Sequence, residues 1–466
     1  MVIAGTHSGV GKTSLTLGLV ASLKRRGFRV QTFKVGPDFL DPSYLATASG
    51  RPCYNLDGWM TSKEYVLELF DRTTRDADIA VIEGVMGLFD GAHPVTSEGS
   101  TGEIARWLEA PVLLVVNAHG MGRSLAALAK GYVEMEPDVR IAGIIANHIG
   151  SDRHRLSIAQ SLESTFLPPL IGAIPRGILP SLPSRHLGLV TADSRTLSPI
   201  ILDGMAGAVE KHLSMDALIR TAKDSPSLSV REDHFSPIPC RKRFPVGVAF
   251  DEAFHFYYPD NLEALEARGC DLIRFSPLRD RKLPAGLTGL YFGGGYPEEY
   301  AEDLESNESM RESVRNFASR GTRPVYAECG GLMYLSQGIE THDGRSHSMV
   351  GLLPVRSRMF DRLRSLGYVE VTLREKSLWG AEGAKLRGHE FHYSELTGNP
   401  LSQGDWKPVY QIARRHSQGQ AVEGFQRGEI LASYIHLHWA SRPHAMETFM
   451  ARLGANSGPE GETTLA

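Results

Sequence analysis

Along the first 180 residues, short apolar runs alternate with longer stretches of helical period. The runs at 2–4, 28–34, 79–83, 111–117, 141–147 and 170–174 read as strands, being brief and dominated by Val, Ile, Leu and Phe. Between them, 14–26 reads as a helix closed by Gly27, and 124–132 and 153–161 read as two more. Alternation of this kind implies right-handed crossovers onto a parallel sheet covered on both faces. At 221–244 the pattern lapses into Ser, Pro and charges, the signature of an interdomain linker. It resumes at 246–250, 271–275, 287–292 and 323–327. The pattern therefore predicts an α/β chain with one domain over 1–220, a linker over 221–244, a second domain over 245–452 and a frayed tail over 453–466.

Composition changes this picture little but narrows the partners. The 466 residues suffice for two or three ordinary cores, and 42% hydrophobic with 22% charged residues is the balance of a soluble globular protein. A net charge of -4 offers no basic excess, so neither nucleic acid nor an anionic membrane is expected as a partner. The longest apolar runs, 111–116 and 141–146, are too short to span a bilayer. No charged segment precedes an apolar one at the N-terminus, so no signal peptide is expected. Cys53, Cys240, Cys270 and Cys329 show neither a disulfide framework nor metal-ligand spacing. A reducing cytoplasm fits them, and leaves a cysteine free to act as a nucleophile.

Chemistry enters first at GTHSGVGKT (5–13), which joins the first strand to the first long helix. A glycine-rich turn there aims backbone N–H groups and a helix N-terminus at phosphate. Gly9, Val10, Gly11 and Ser14 line such a loop; Lys12 is placed to neutralise ATP phosphates and Thr13 to put a hydroxyl on Mg²⁺. The first glycine stands one residue early for the usual spacing. Two acidic clusters leave the carboxyl ends of the next strands, with Asp38 and Asp41 after the second and Glu83 and Asp90 after the third. That edge is where open α/β sheets bind ligands, and a carboxylate directly after a strand is where nucleotide-bound Mg²⁺ finds a protein ligand.

The second constellation is RPVYAECGGLMYL (323–335), a strand, a cysteine, two glycines and a helix. Such an elbow would expose the Cys329 sulfur at a helix N-terminus, whose dipole favours thiolate. The N–H of Gly330 can help to bind an oxyanion, and Gly294 and Gly295, in the glycine loop after the 287–292 strand, can complete the hole. Cys329 then needs a base, and His436 in ASYIHLHW (432–439) is the candidate.

These motifs carry resemblances. The phosphate loop resembles dethiobiotin-synthetase-type ATPases rather than kinases or GTPases. The second half resembles a class I glutamine amidotransferase domain. That class normally reads H-x-E at its histidine; here His438 stands at the second position, as in the branch of cobalamin biosynthesis that lacks the third carboxylate. Over nearly its whole length the chain resembles the cobyrinic acid a,c-diamide synthase family. Six strings carry the likeness: FKVGPDFLDP (33–42), VIEGVMGLFDG (81–91), DEAFHFYYPDNLE (251–263), YFGGGYPEEY (291–300), AECGGLMYL (327–335) and GHEFHYSE (388–395). Departures are Asn117-Ala-His119 for the more usual Asp-Ala-Ser, Ser184 for Glu, and Phe39 for Tyr.

The resemblance implies a fold and a reaction. The fold is a dethiobiotin-synthetase-like P-loop parallel-sheet domain followed by a class I glutamine amidotransferase-like α/β domain. The reaction is amidation of two peripheral carboxylates of a tetrapyrrole, with ATP and Mg²⁺ activating each carboxylate and L-glutamine supplying ammonia through Cys329 and His436. By the same resemblance Thr13, Asp38 and Glu83 hold Mg²⁺, while Lys34, Asp38, Phe39, Leu40, Asp41 and Asp90 serve the phosphoryl group, substrate placement and amidation order. Asn147 reads the adenine edge or serves as a buried structural hydrogen-bonder. Alternating polar residues at 388–394 suit an exposed strand face. Nothing in the chain excludes a homodimer. Ni-sirohydrochlorin a,c-diamide synthase shares these motifs, and a partition-type P-loop ATPase accounts for the first half alone, leaving the Cys329 elbow without a use.

Overall fold

The computed structural model describes residues 1–180, 197–226, 228, 243–319, 321–415 and 419–455, and the chain divides into two compact units, Met1–His234 and Phe235–Ala466. In the first unit seven parallel strands lie in the order Tyr54–Leu56, Val30–Val35, Ile79–Glu83, Val2–Gly5, Val112–Asn117, Ile141–Ile149, Leu170–Pro175. Their side chains are buried along nearly every strand, as expected for a sheet covered on both faces. Tyr54–Leu56 is too short to stand out as a hydrophobic run, and the helix Leu40–Ser49 begins inside what reads from sequence as an acidic loop.

The helix Lys12–Arg25 starts where Gly11 adopts φ 97 and ends at Gly27, φ 87. Gly27 N–H and Phe28 N–H bond back to Lys24 and Leu23 carbonyls, closing the last turn. Leu15, Leu19 and Leu23 are fully buried, and so are Leu17 and Val20 on its other sides. The helix is enclosed because Pro199–His212 packs across it at Gly18, where a Cβ would lie 2.7 Å from Val209 Cγ2 and 2.8 Å from the Met205 carbonyl oxygen.

The second unit is built on a ten-stranded mixed sheet. Its parallel half runs Cys270–Phe275, Phe244–Ala249, Gly289–Phe292, Val325–Glu328, Ile430–Ser433. The antiparallel half continues with Gln420–Arg427, Lys407–Arg414, Ser365–Leu373, Lys385–His392 and His436–His438. A four-stranded sheet of Ser346–Ser348, Ser336–Glu340, Leu353–Met359 and Ser394–Leu396 lies in the same unit. On one side of the large sheet Tyr326, Trp379, Trp439 and Phe449 form a contiguous aromatic cluster, with ring centroids 4.6 to 5.2 Å apart along the Tyr326–Trp379, Trp379–Trp439 and Trp379–Phe449 contacts. The antiparallel half was not foreseen, because its half-buried strands carry many polar residues.

Of the expected linker, 221–223 completes the helix Met215–Lys223 and Phe244 opens a strand; residues 227 and 229–242, with Cys240, lie outside the described residues. Of the expected tail, 453–455 completes the helix Pro443–Ala455 and 456–466 lies outside them, as does Ser184. Among the described residues no helix is long and apolar enough to cross a membrane. The enclosure of Gly18 has a measurable consequence: Gly18→Ala should lower the stability of the first unit by about 1–3 kcal/mol through overpacking, despite alanine's better helix propensity. A thermal midpoint at or above that of the parent chain would show that the two helices separate readily.

Candidate active sites

In the first unit, the carboxyl ends of three neighbouring strands converge: Val30–Val35, Ile79–Glu83 and Val2–Gly5. The phosphate loop follows the last of these. Gly9 and Gly11 hold φ 78 and 97, and Val10 is fully buried, which anchors the turn. The loop after Glu83 is pinned over it, Leu88 N–H bonding to the Gly5 carbonyl at 2.8 Å and Tyr132 Oη donating to the Thr6 carbonyl at 2.7 Å. Lys12 Nζ reaches the Met86 carbonyl at 2.5 Å, so its ammonium lies across the loop beside the backbone groups that would face phosphate. Ser14 Oγ donates to the Pro180 carbonyl at 2.8 Å.

Thr13, Lys34, Asp41 and Glu83 form one buried network. Thr13 Oγ1 donates to Glu83 Oε1 at 2.7 Å; Lys34 Nζ donates to Asp41 Oδ2 at 2.6 Å and to Glu83 Oε1 at 2.9 Å. Burial opposes the Lys34 charge, but the Asp41, Glu83 and Asp38 carboxylates outweigh it and hold the ammonium above its ordinary value. Burial pushes the Glu83 carboxyl up to about 7, against the pull of Lys34. Glu83 Oε2 is buried with no hydrogen-bond partner among the described residues. An unsatisfied buried carboxylate oxygen next to a threonine hydroxyl at a phosphate loop is a fitting environment for Mg²⁺. No cluster of three His, Cys, Asp or Glu side chains able to hold a metal alone occurs among the described residues, so such an ion would also need phosphate or water as ligands.

Asp38 Oδ1 accepts from Leu40 N–H at 2.8 Å in a turn leading into the helix Leu40–Ser49; Phe39 is half-buried and Leu40 buried. Asp90 is exposed and closes its own turn by accepting from Gly87 N–H at 2.9 Å. Asn147 has its polar atoms engaged by the chain: Nδ2 donates to the Val10 carbonyl at 2.8 Å and Oδ1 accepts from His148 N–H at 2.9 Å. A Cβ at Gly11 would stand 2.5 Å from that Nδ2. These bonds brace the phosphate loop.

In the second unit, Cys329 lies between the strand Val325–Glu328 and the helix Gly330–Leu335 at φ 47, ψ -102. Its N–H bonds to the Ser433 carbonyl at 2.7 Å, which ties the elbow to the neighbouring strand. Neighbouring backbones approach too closely for side chains. A Cβ at Gly330 would lie 3.0 Å from Gly295 N, one at Gly331 2.5 Å from the Phe292 carbonyl oxygen, and one at Gly294 2.4 Å from His436 Cε1. The glycine loop is thus flanked by the Cys329 helix and by the His436 imidazole, bringing Gly294, Gly295 and Gly330 together.

Two expectations change here. The sulfur is not exposed: Cys329 is 6% accessible, and burial, with Glu298 nearby, pushes its thiol up against the help of the Gly330 N–H. Desolvation outweighs the dipole of a helix of six residues. Burial therefore disfavours the thiolate form. The 388–394 segment is also not an exposed face: His389 is 4% and Glu390 1% accessible. The His389 ring stacks on His436 at 5.0 Å and its Nδ1 pairs with Tyr258 Oη at 2.9 Å, while the Phe391 carbonyl lies 3.9 Å from Cys329 Sγ.

Glu328 went unnoticed in the sequence. Its carboxylate lies 3.7 Å from His436 Nδ1, both side chains 2% exposed. Its position immediately before Cys329 is the one signal the sequence offers. His438, which stands where a glutamate is usual, has Nε2 3.1 Å from Asp260 Oδ2. Cys53 and Cys329 are thiols without a disulfide among the described residues.

Two family models match the chain. Residues 1–190 match the CobQ/CobB/MinD/ParA nucleotide binding domain, and residues 245–444 match the CobB/CobQ-like glutamine amidotransferase domain. The chain is 55% identical to the cobyrinate a,c-diamide synthase of Syntrophotalea carbinolica, over 97% of each chain. It is 42% identical to that of Leptospira interrogans and 39% identical to that of Archaeoglobus fulgidus, again over 97% of each.

Glu423 provides a pH test of this second site. It accepts from Ser433 Oγ at 2.5 Å and from Tyr434 N–H at 2.8 Å, and burial pushes its carboxyl from 4.5 up to about 7. A raised folded value means that its contribution to stability is present in full below about 4.5 and is lost as pH rises through about 7. The stability of Glu423→Gln relative to the parent should therefore increase between pH 5 and pH 8, by up to about 3 kcal/mol. Unfolding midpoints at the two pH values measure this, and a difference that does not vary with pH would show an ordinary carboxyl.

Proposed function

Because the chain belongs to the cobyrinate a,c-diamide synthase family and is a glutamine-dependent amide-forming ligase, we propose that it amidates the a and c carboxylates of cobyrinic acid, with Cys329 and His436 releasing ammonia from glutamine. The observation that carries the reading is Cys329, held at φ 47 beside a glycine loop whose other flank is the His436 ring. His436 takes the thiol proton as sulfur adds to the glutamine amide carbon. Gly294, Gly295 and Gly330 are the backbone candidates to receive the oxyanion. The same imidazole returns the proton to the departing nitrogen, which leaves as ammonia, and water then hydrolyses the γ-glutamyl thioester to glutamate.

In the first unit a substrate carboxylate attacks the terminal phosphorus of ATP, giving an acyl phosphate and ADP. Ammonia adds to the acyl carbon and phosphate departs, leaving an amide. Activation is needed because a carboxylate is a poor electrophile with no usable leaving group. Lys12 neutralises phosphate charge, and Gly9, Val10, Gly11 and Ser14 shape the loop that receives it. Mg²⁺, held by Thr13 and Glu83 with Asp38, would supply charge neutralisation at the transferring phosphoryl group. Lys34 and Asp41 position that network, and Phe39, Leu40 and Asp90 serve substrate placement. A reducing cytoplasm suits the free Cys329 thiol.

Cys329→Ala should abolish glutamine-dependent synthesis while leaving synthesis from added ammonium intact; Lys12→Ala should retain glutaminase activity and lose amide formation at least about 100-fold. Product analysis by mass spectrometry with glutamine or ammonium chloride distinguishes the two. Full glutamine-dependent turnover by Cys329→Ala would defeat the assignment. Supplying purified protein with cobyrinic acid, hydrogenobyrinic acid or Ni-sirohydrochlorin tests the macrocycle, and diamide formation on the nickel compound alone would overturn the corrin.

A further inference from the structure

A histidine that shuttles protons needs a group on its far nitrogen to hold the ring and to balance the charge it acquires. In this chain the residue two places after His436 is another histidine, drawn to Asp260 at 3.1 Å. We propose that Glu328, the residue immediately before the nucleophile, is the positioning carboxylate for His436. This rests on the Cys329–His436 reading and deepens it.

Three features of the fold support the assignment. First, Glu328 ends the strand Val325–Glu328 in register with Ser433, which places it beside the segment leading to His436. Its carboxylate is 3.7 Å from His436 Nδ1, while Cε1 and Nε2 of the same ring lie toward Gly294. That separation is within ion-pair range but longer than a hydrogen bond, and catalytic contacts often tighten when substrate binds. Second, Glu328 is itself immobilised. Tyr326 Oη donates to Oε1 at 2.6 Å, Leu437 N–H donates to Oε1 at 3.0 Å, and Tyr291 Oη donates to Oε2 at 2.9 Å. Burial, and Glu328 itself, push both phenols well above their ordinary value, so they remain donors. Three converging donors are the surroundings of an anionic acceptor. The Leu437 bond also ties the carboxylate to the residue after the histidine it faces. Third, the histidines beside His436 do not take the place of that carboxylate. His389 stacks on the ring and is held neutral, its basicity lowered by burial and by His436 and His438. His392 is likewise lowered by burial. His438 faces Asp260.

The geometry has a rationale. The elbow that turns Cys329 out of the strand leaves the preceding side chain directed across the sheet toward the aromatic cluster of Tyr291 and Tyr326. Nucleophile and carboxylate are thus adjacent in sequence, and one strand positions both.

The experiment compares glutamine hydrolysis by the full chain, Glu328→Gln and Glu328→Asp across pH, with ammonium-dependent amide synthesis as the control for folding. Glu328→Gln should lose about 100-fold in kcat with less than about a 3-fold change in KM for glutamine, because the group acts on proton transfer rather than on binding. Losing the negative charge should move the acid limb of its kcat/KM profile to lower pH. Glu328→Asp, which keeps the charge on a shorter stem, should recover part of kcat and hold the limb at its parental position. An unmoved limb with parental kcat in Glu328→Gln overturns the proposal, as does Glu328→Asp as impaired as Glu328→Gln. Should Glu328→Gln also lose ammonium-dependent synthesis, the Glu328→Asp profile alone decides in the same way. Cys329→Ala, assayed alongside, separates the two levels: its retention of glutaminase would sink the parent reading, whereas its loss together with an unaffected Glu328→Gln sinks the positioning role only.

Discussion

Backbone strain at one cysteine organises the second unit. A residue bearing a Cβ at φ 47, ψ -102 is held against a cost of about 1–3 kcal/mol, so the surroundings must over-determine it. They do so from three sides. The Ser433 carbonyl takes the Cys329 N–H, Gly330 and Gly331 let the Gly293–Gly295 backbone and Phe292 come within contact, and the packed core around Leu332 and Tyr334 fixes the helix that follows. Any side chain at these glycines would separate the elbow from the glycine loop.

The same economy governs protons. Burial disfavours ionisation of the Cys329 thiol, and a buried imidazole, that of His436, lies across the glycine loop from it. Glu328 is fixed behind that imidazole by its two tyrosines and the Leu437 N–H. The first unit uses the complementary arrangement. Lys34 is a buried cation between Asp41 and Glu83, and its presence keeps two carboxylates close together at the mouth of the phosphate loop. Removing Lys34 would leave like charges facing each other in a low-dielectric setting, a more serious loss than that of a surface ion pair.

The amino-acid sequence by itself determined the α/β class, the parallel character of the first sheet, the phosphate loop and the cysteine elbow. These are local: hydrophobic period, glycine placement and strand–helix punctuation are contained within a dozen residues, and the physics that creates them acts over the same range. Asp38, Asp41 and Glu83 were legible as a group with Lys12 because parallel strands bring their carboxyl ends to one edge whatever the details of packing. Tertiary structure decided what depends on distant segments meeting. It set Asn147 against the Val10 carbonyl, turned His389 and Glu390 inward from a strand whose alternation suggested a wet face, and buried a sulfur that a helix end alone would have left exposed. It also put Glu328 behind a histidine 108 residues away, as 436 − 328. A charge partner is selected by three-dimensional proximity in a low dielectric, and no spacing rule along the chain encodes that distance.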